Sequence, residues 1–336
     1  MVRWRGRCSL LSLLWVKKSN LSLKNITFLA SRVVIFFILV SPLFGGTQGS
    51  NLVNHIRKKC GMISLKYSQA LAKSAHNHAK YLARLRLNSH KESPRYPYFT
   101  GRTPFDRIAK VGFGSRVGVE DISFGEQSYR GSVNTLFGTI YHRLAFLDFR
   151  IDSIGTSAYG NLKGRVYVYD MASSQISKIC RKNYRSGGKY IFGVCSNPDK
   201  KLPLSVMQGA LRRVQRRNAK IVVYPYPNAT VGRRFINEVP KPFGKNVRMG
   251  FPVSVELNPA IYSWGRLESF KIFDSSGRRV QAKIITSKSD IHRKIPKLTY
   301  ILVPRSLLKS GNKYRVSFQA KTNRGRVKKE WSFFVK

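Results

Sequence analysis

The sequence predicts an α+β protein: a three-layer α-β-α sandwich followed by an all-β, Ig-like sandwich. Three observations carry that reading. Helical periodicity dominates residues 69–141, an alternating hairpin pattern follows, and after Phe251 the chain consists of short strands and turns. A length of 336 residues suits about two domains of ~100–200 residues each. An apolar content of 42% excludes a disordered chain.

Residues 1–49 read as a targeting segment. They hold seven Lys/Arg and no acid, and the basic residues precede the apolar run Val33–Val40 and the small, polar stretch Gly45–Ser50. A basic region, an apolar core and small residues at a cut describe a secretory signal. The apolar run, about 12 residues when extended to Phe44, is shorter than the ~20 that span a bilayer. Cleavage is expected after Gly49, giving a secreted, periplasmic or cell-envelope protein; retention as an uncleaved membrane anchor is the alternative.

The first domain is expected over residues 50–174. Ser68 is a fitting N-cap for a helix from Gln69 to Leu87. Leu71, Ala75, His78 and Leu82 share one face of it, which makes His78 a core histidine with satisfied hydrogen bonds. The helix runs out at Asn88-Ser89-His90, placing His90 at a helix-to-loop junction. Thr103-Pro104 starts a short helix that ends at Gly112. Glu120–Phe124 then leads to a helix from Tyr129 to Tyr141, ending at His142. Ile154–Ala158 and Arg165–Tyr169 alternate about Asn161–Gly164 and read as a hairpin.

Residues 175–250 read as a linking segment. Cys180 and Cys195 close a short loop and are expected to pair in an oxidising compartment, leaving Cys60 as a buried free thiol. No Cys-x-x-Cys occurs. Leu204, Met207, Leu211 and Val214 form the apolar face of a helix, with Arg212, Arg213, Arg216 and Arg217 opposite. That pattern fits a docked helix with a solvated basic face better than a helix lying on a membrane. Ile221–Tyr224 is a short strand ended by Pro225.

Residues 251–336 carry six candidate strands: Val253–Leu257, Leu267–Phe273, Val280–Ile285, Thr299–Val303, Tyr314–Ala320 and Trp331–Val335. Short strands at this spacing describe a β-sandwich.

The order of features from Leu52 to Met171 resembles the CAP superfamily, the secreted domain of cysteine-rich secretory proteins, venom antigens and plant pathogenesis-related proteins. Bacterial members are the most similar in pattern. The resemblance implies an α-β-α sandwich with a central cleft lined by two histidines and two acids. His90 matches the first histidine, which follows a serine. Glu120 matches the acid of the Gly-Glu-Asn-Ile motif, with Val119 and Asp121 replacing its Gly and Asn. His142 matches the histidine of the bacterial Gly-His-Arg motif, with Tyr141 in place of Gly. The second acid is missing; its place falls near Thr139, and Leu136 stands where the family has Trp. The tail resembles the Ig-like domains appended to some bacterial members, without their cysteine pair.

His90, Glu120 and His142 are therefore the expected ligand-binding cleft, and no catalytic residue is assigned. Two imidazoles and a carboxylate could also hold zinc, through His90 and His142, and activate water. The missing acid and the lack of a nucleophile favour binding of a protein, lipid or glycan over catalysis. A secreted, zinc-assisted hydrolase of peptide or cell-envelope material is the alternative. The charge, 62 Lys+Arg against 15 Asp+Glu or +47, favours anionic surfaces. It is spread along the whole chain and comes with no nucleic-acid-binding motif, so specific nucleic-acid recognition is not expected.

Overall fold

The computed structural model describes residues 47–162, 164–185 and 188–336. The expected targeting segment, apart from its last three residues, lies outside them. Those three residues belong to helix α1 (Thr47–Lys59), so the expected cut after Gly49 falls inside its first turn. Gly49 is packed so tightly that a Cβ there would come within 2.7 Å of Tyr129 Cδ1.

The next elements are strand β1 (Lys66–Tyr67) and helix α2 (Gln69–Leu85), which is capped by Ser68 as the sequence predicts. Helix α3 (Pro104–Lys110) starts at a full capping box between Thr103 and Asp106. Strand β2 (Gly118–Phe124) follows, then helices α4 (Tyr129–Phe137) and α5 (Tyr141–Phe146). Strands β3 (Ser153–Tyr159) and β4 (Val166–Ala172) form the predicted hairpin, paired from Ser153↔Ala172 to Tyr159↔Val166. The sheet order is β1-β3-β4-β2. Helix α2 covers one face, and at Gly155 it approaches so closely that a Cβ would lie 2.0 Å from the Ala72 nitrogen. Helices α1, α4 and α5 cover the other face, giving the three layers.

One helix was expected from Tyr129 to Tyr141; the structure has two. The first ends at Gly138. The second begins afresh because a remote carboxylate, Glu238, accepts the N–H groups of Ile140 and Tyr141. His142 consequently lies in the first turn of a new helix and not at the end of the old one.

Helix α6 (Ser174–Cys180), strands β5 (Tyr190–Ile191) and β6 (Leu202–Pro203) and helix α7 (Leu204–Gln215) form a small unit with its own apolar cluster. The Cys180–Cys195 disulfide is present, and Cys60 is free and buried.

Strands β7 (Ile221–Tyr224), β8 (Thr230–Val231), β9 (Val253–Leu257), β10 (Gly265–Phe273), β11 (Ala282–Thr286), β12 (Thr299–Pro304), β13 (Lys313–Thr322) and β14 (Gly325–Val335) make two four-stranded sheets. Their orders are β10-β13-β14-β8 and β11-β12-β9-β7. The sheets stack through rings such as Phe318, whose centroid lies 5.3 Å from both Phe270 and Tyr300. Two strands, β7 and β8, come from the segment expected to be a linker. Strand β14 also starts six residues before the expected Trp331, because the charged run Gly325–Glu330 pairs along β13 with Val327 turned inward.

Burial along the strands shows where the two halves meet. Strand β13 alternates between exposed and buried positions, whereas every residue of β12 is buried. Tyr300 and Leu302 point into the sandwich core, while Ile301 and Val303 join Ile140, Leu144 and Phe235 in a second apolar cluster. One sheet of the sandwich thus packs its outer face on the α5 region, and a strand covered on both faces reads as continuously apolar. Arg143 ties the junction further. It is wholly buried, donates to the Phe137 and Pro252 carbonyls, and lies over the Tyr224 and Phe251 rings.

Candidate functional site: a cleft with two carboxylate-bound histidines

Glu120 sits on β2 directly across from Asp170 of β4, on the sheet face covered by α2. Burial by itself would push the Glu120 carboxyl up. Arg107, His78 and His90 more than offset that and bring it down to about 2. Both carboxylate oxygens are engaged: Arg107 Nη2 donates to Oε2 at 2.6 Å, and His90 Nδ1 donates to Oε1 at 2.8 Å. Arg107 reaches this point from α3, whose capping box fixes the helix start, and also donates to the His90 carbonyl at 3.1 Å. Arg107 Nε has no hydrogen-bond partner and lies 3.7 Å from Glu92 Oε1, so the pair is held by the Glu120 bonds and by charge.

Behind it lies a second buried pair. His78 Nδ1 donates to Glu92 Oε1 at 2.9 Å, and Nε2 donates to the Ser89 carbonyl at 3.0 Å. Neither nitrogen is left for a ligand, as expected for a core histidine. Glu92 also accepts from the Thr100 and Gly101 N–H groups. Burial raises the Glu92 carboxyl, but the bonds from His78 and Thr100 and the charge of Arg107 leave it below its usual range.

His142 stands across the cleft, and its carboxylate comes from outside the α-β-α domain. His142 Nδ1 donates to Glu238 Oε2 at 2.9 Å. The same carboxylate accepts from Ile140 N at 2.6 Å and from Tyr141 N at 3.1 and 3.0 Å. Thr139, where the family pattern puts an acid, approaches His142 Nδ1 only to 3.5 Å with its hydroxyl.

His90, Glu120 and His142 line a single cleft of about 470 Å³, together with Asp121, Tyr141, Val239, Pro240, Lys294 and Pro296. The sandwich and the strap before it therefore supply part of the wall. Asp121, beside Glu120 but on the opposite sheet face, is pushed far up by burial and by the charges of Glu238 and Glu120, and its Oδ2 has no hydrogen-bond partner. Asp170, behind Glu120, is raised in the same way by burial and by Glu120.

Zinc held through His90 and His142, the expectation from the sequence, would have to bind at their Nε2 atoms. Among the described residues no three His, Cys, Asp or Glu side chains come together as ligands. Both Nδ1 atoms and both Glu120 oxygens are bonded within the protein, so the atoms left facing the cleft are the two Nε2 nitrogens.

Sequence reasoning missed Glu92, Arg107 and Glu238. The sequence offered one signal for the two acids, their scarcity: the chain has only 15, and the fold buries eight of them, the reverse of their usual preference. Carboxylates this scarce serve internal partners more than the surface, so each was a candidate. Arg107 carried no comparable signal among so many basic residues.

The model of the CAP: Cysteine-rich secretory protein family matches residues 50–171. The chain carries a CAP domain. The match covers the α-β-α layers, the Glu120 network and His142, and it ends well before Glu238. Two solved structures are similar over 38% of this chain. One is an extracellular protein containing a SCP domain from Bacillus anthracis, 22% identical, with 39% of its own length covered and a TM-score of 0.34. The other is an outer surface protein from Borrelia burgdorferi, 21% identical, with 90% covered and a TM-score of 0.33. No curated protein matches the chain.

Proposed function

We propose that this is an exported CAP-domain protein that binds a ligand or partner in the cleft around His90, Glu120 and His142 and does not hydrolyse it. The observation that carries this reading is the state of Glu120. A general acid or base works best with a pKa near the working pH. Glu120, brought to about 2 and bonded through both oxygens, holds its neighbours in place instead. The cleft lining also offers no Ser, Thr or Cys nucleophile. The polar groups at the cleft that are not buried include the two imidazoles, Lys294 and Arg150.

Hydrolysis is the second reading, favoured by one observation: each cleft histidine has its own carboxylate, the arrangement that orients a general base. Assays on p-nitrophenyl esters, casein and peptidoglycan separate the two. Wild type is expected to show no turnover above the His90→Ala/His142→Ala double variant. Turnover lost in that variant would establish the hydrolase.

Export rests on the basic and apolar pattern of the N-terminal segment and on the disulfide, which belongs to an oxidising compartment. Among the described residues no helix is long and apolar enough to cross a membrane. Because Thr47–Gly49 are built into α1, sequencing of the exported protein is expected to find a start at or before Thr47. The basic surface would hold the protein near anionic polymers, and retention on heparin is expected to fall steeply with salt.

A further inference from the structure

The two imidazoles of the cleft are held in the same way by carboxylates of different origin. Glu120 belongs to the CAP domain's own sheet. Glu238 lies 96 residues beyond His142 and well past the matched span 50–171. Its side chain is fully buried, in a chain where an acid is a rare residue. The strap that carries it is fitted closely to the α4–α5 turn. Ile236 N donates to the Gly138 carbonyl at 3.0 Å, and a Cβ on Gly138 would stand 2.6 Å from Ile236 Cγ1. Gly138 has ordinary helical dihedrals, so its small size serves the close approach of the strap and not an unusual backbone.

We propose that Glu238 is a positioning residue for His142: it replaces the carboxylate absent at residue 139, holds the proton on Nδ1, and leaves Nε2 as an acceptor for a ligand in the cleft. The inference rests on the cleft reading above. It adds that the second histidine of this CAP domain is set by a residue outside the domain, so the site is complete only with the strap docked.

The logic is that of a carboxylate fixing an imidazole tautomer. An ionised carboxylate only accepts, so Nδ1 must donate. Glu238→Gln breaks that requirement. An amide has one oxygen, and the Ile140 and Tyr141 N–H groups claim it. Its NH2 then faces Nδ1 and forces the proton onto Nε2, turning the cleft-facing atom from acceptor to donor. His90, held by Glu120, serves as an internal control.

The test is long-range 1H–15N NMR of the histidine rings in the full chain at pH ~9, where an ordinary imidazole is neutral. Wild type is expected to show His142 mainly as the Nδ1–H tautomer. Glu238→Gln is expected to convert it mainly to Nε2–H, with His90 unchanged. Adding Thr139→Asp to that variant, at the position whose hydroxyl already lies 3.5 Å from Nδ1, is expected to restore Nδ1–H. Should Glu238→Gln fail to fold, Gly138→Ala serves in its place. It displaces the strap without touching the dyad, and loss of the Nδ1–H tautomer is expected there too. An unchanged His142 tautomer in the variant that folds, an equal change at His90, or no rescue by Thr139→Asp would overturn the proposal. The readout needs no ligand, so it can fail while binding in the cleft stands, and the hydrolysis assays can fail without affecting it.

Discussion

The two sides of the cleft solve one problem, that of holding an imidazole, by different means. On the Glu120 side the carboxylate is balanced by a buried cation, Arg107, and every partner, His78 included, comes from the same domain. On the His142 side no Arg or Lys among the described residues forms an ion pair with Glu238, and the charge is met by backbone N–H groups at the start of α5. The first is an ion-pair network inside one domain. The second is a helix start and a histidine that share one remote carboxylate. They should therefore break differently: removal of a charge partner strands a buried ion, whereas removal of an accepting carboxylate strands only dipoles.

The largest effect should follow from Arg107→Ala. It leaves Glu120 buried without its cation, and breaking such a pair typically costs about 3–5 kcal/mol. Chemical denaturation measures it; a loss below about 1 kcal/mol would mean that the network is not an ion pair in solution.

Acid should separate the sides next. Glu120 lies at about 2 when folded against an ordinary 4.5. Its stabilisation is therefore complete above pH 4.5 and is lost as the pH falls from there towards 2. Asp121 and Asp170 are raised, so their contributions have the opposite sign: they favour the fold at low pH and oppose it as the pH rises through their folded values. Melts between pH 5 and 2 are expected to show a decline that Glu120→Gln reduces, the remainder coming from Glu92 and the other carboxyls held below their usual range. A decline of equal size in that variant would place the acid sensitivity elsewhere.

Glu238→Ala should cost less, about 1–3 kcal/mol, since it leaves unsatisfied donors and no stranded charge. Amide exchange should quicken at Ile140 and Tyr141 while Thr100 and Gly101, held by Glu92, stay protected. The reverse pattern would dissolve the comparison.

The smallest effect belongs to His90→Ala. The His90 side chain is 46% exposed, and Glu120, itself buried, keeps Arg107 without it, so water can take the place of the imidazole and the change should stay within ~1 kcal/mol. A thermal melt of the full chain checks this; a drop like that of Arg107→Ala would show that the imidazole, not the guanidinium, holds Glu120.

Reading the sequence worked where the information is local. Ser68 and Thr103-Pro104 set helix starts through their own side chains, and the hairpin after Ile154 is written in its alternation. His90 and Glu120 were found because the spacing of short motifs survives even where neighbours change. The break between α4 and α5 was not legible, because Gly138 ends the first helix and a residue about a hundred positions later starts the second. Strand β8 escaped notice for a similar reason: two residues, Thr230 and Val231, become a strand only by pairing with the end of β14. Arg107 was one basic residue among sixty-two, distinguished only by what it meets.

The sequence by itself determined the α+β class, the order of the CAP-domain elements, the Cys180–Cys195 pairing and the residues that face the cleft. The class, the element order and the disulfide rest on caps, periodicity or spacing between near neighbours, which the chain encodes directly; the cleft residues came from the resemblance to the CAP family. The tertiary structure decided which carboxylate holds which histidine and that the sandwich closes the cleft wall. Those outcomes depend on burial and on contacts between distant residues, where a charge finds its partner only after the chain has folded.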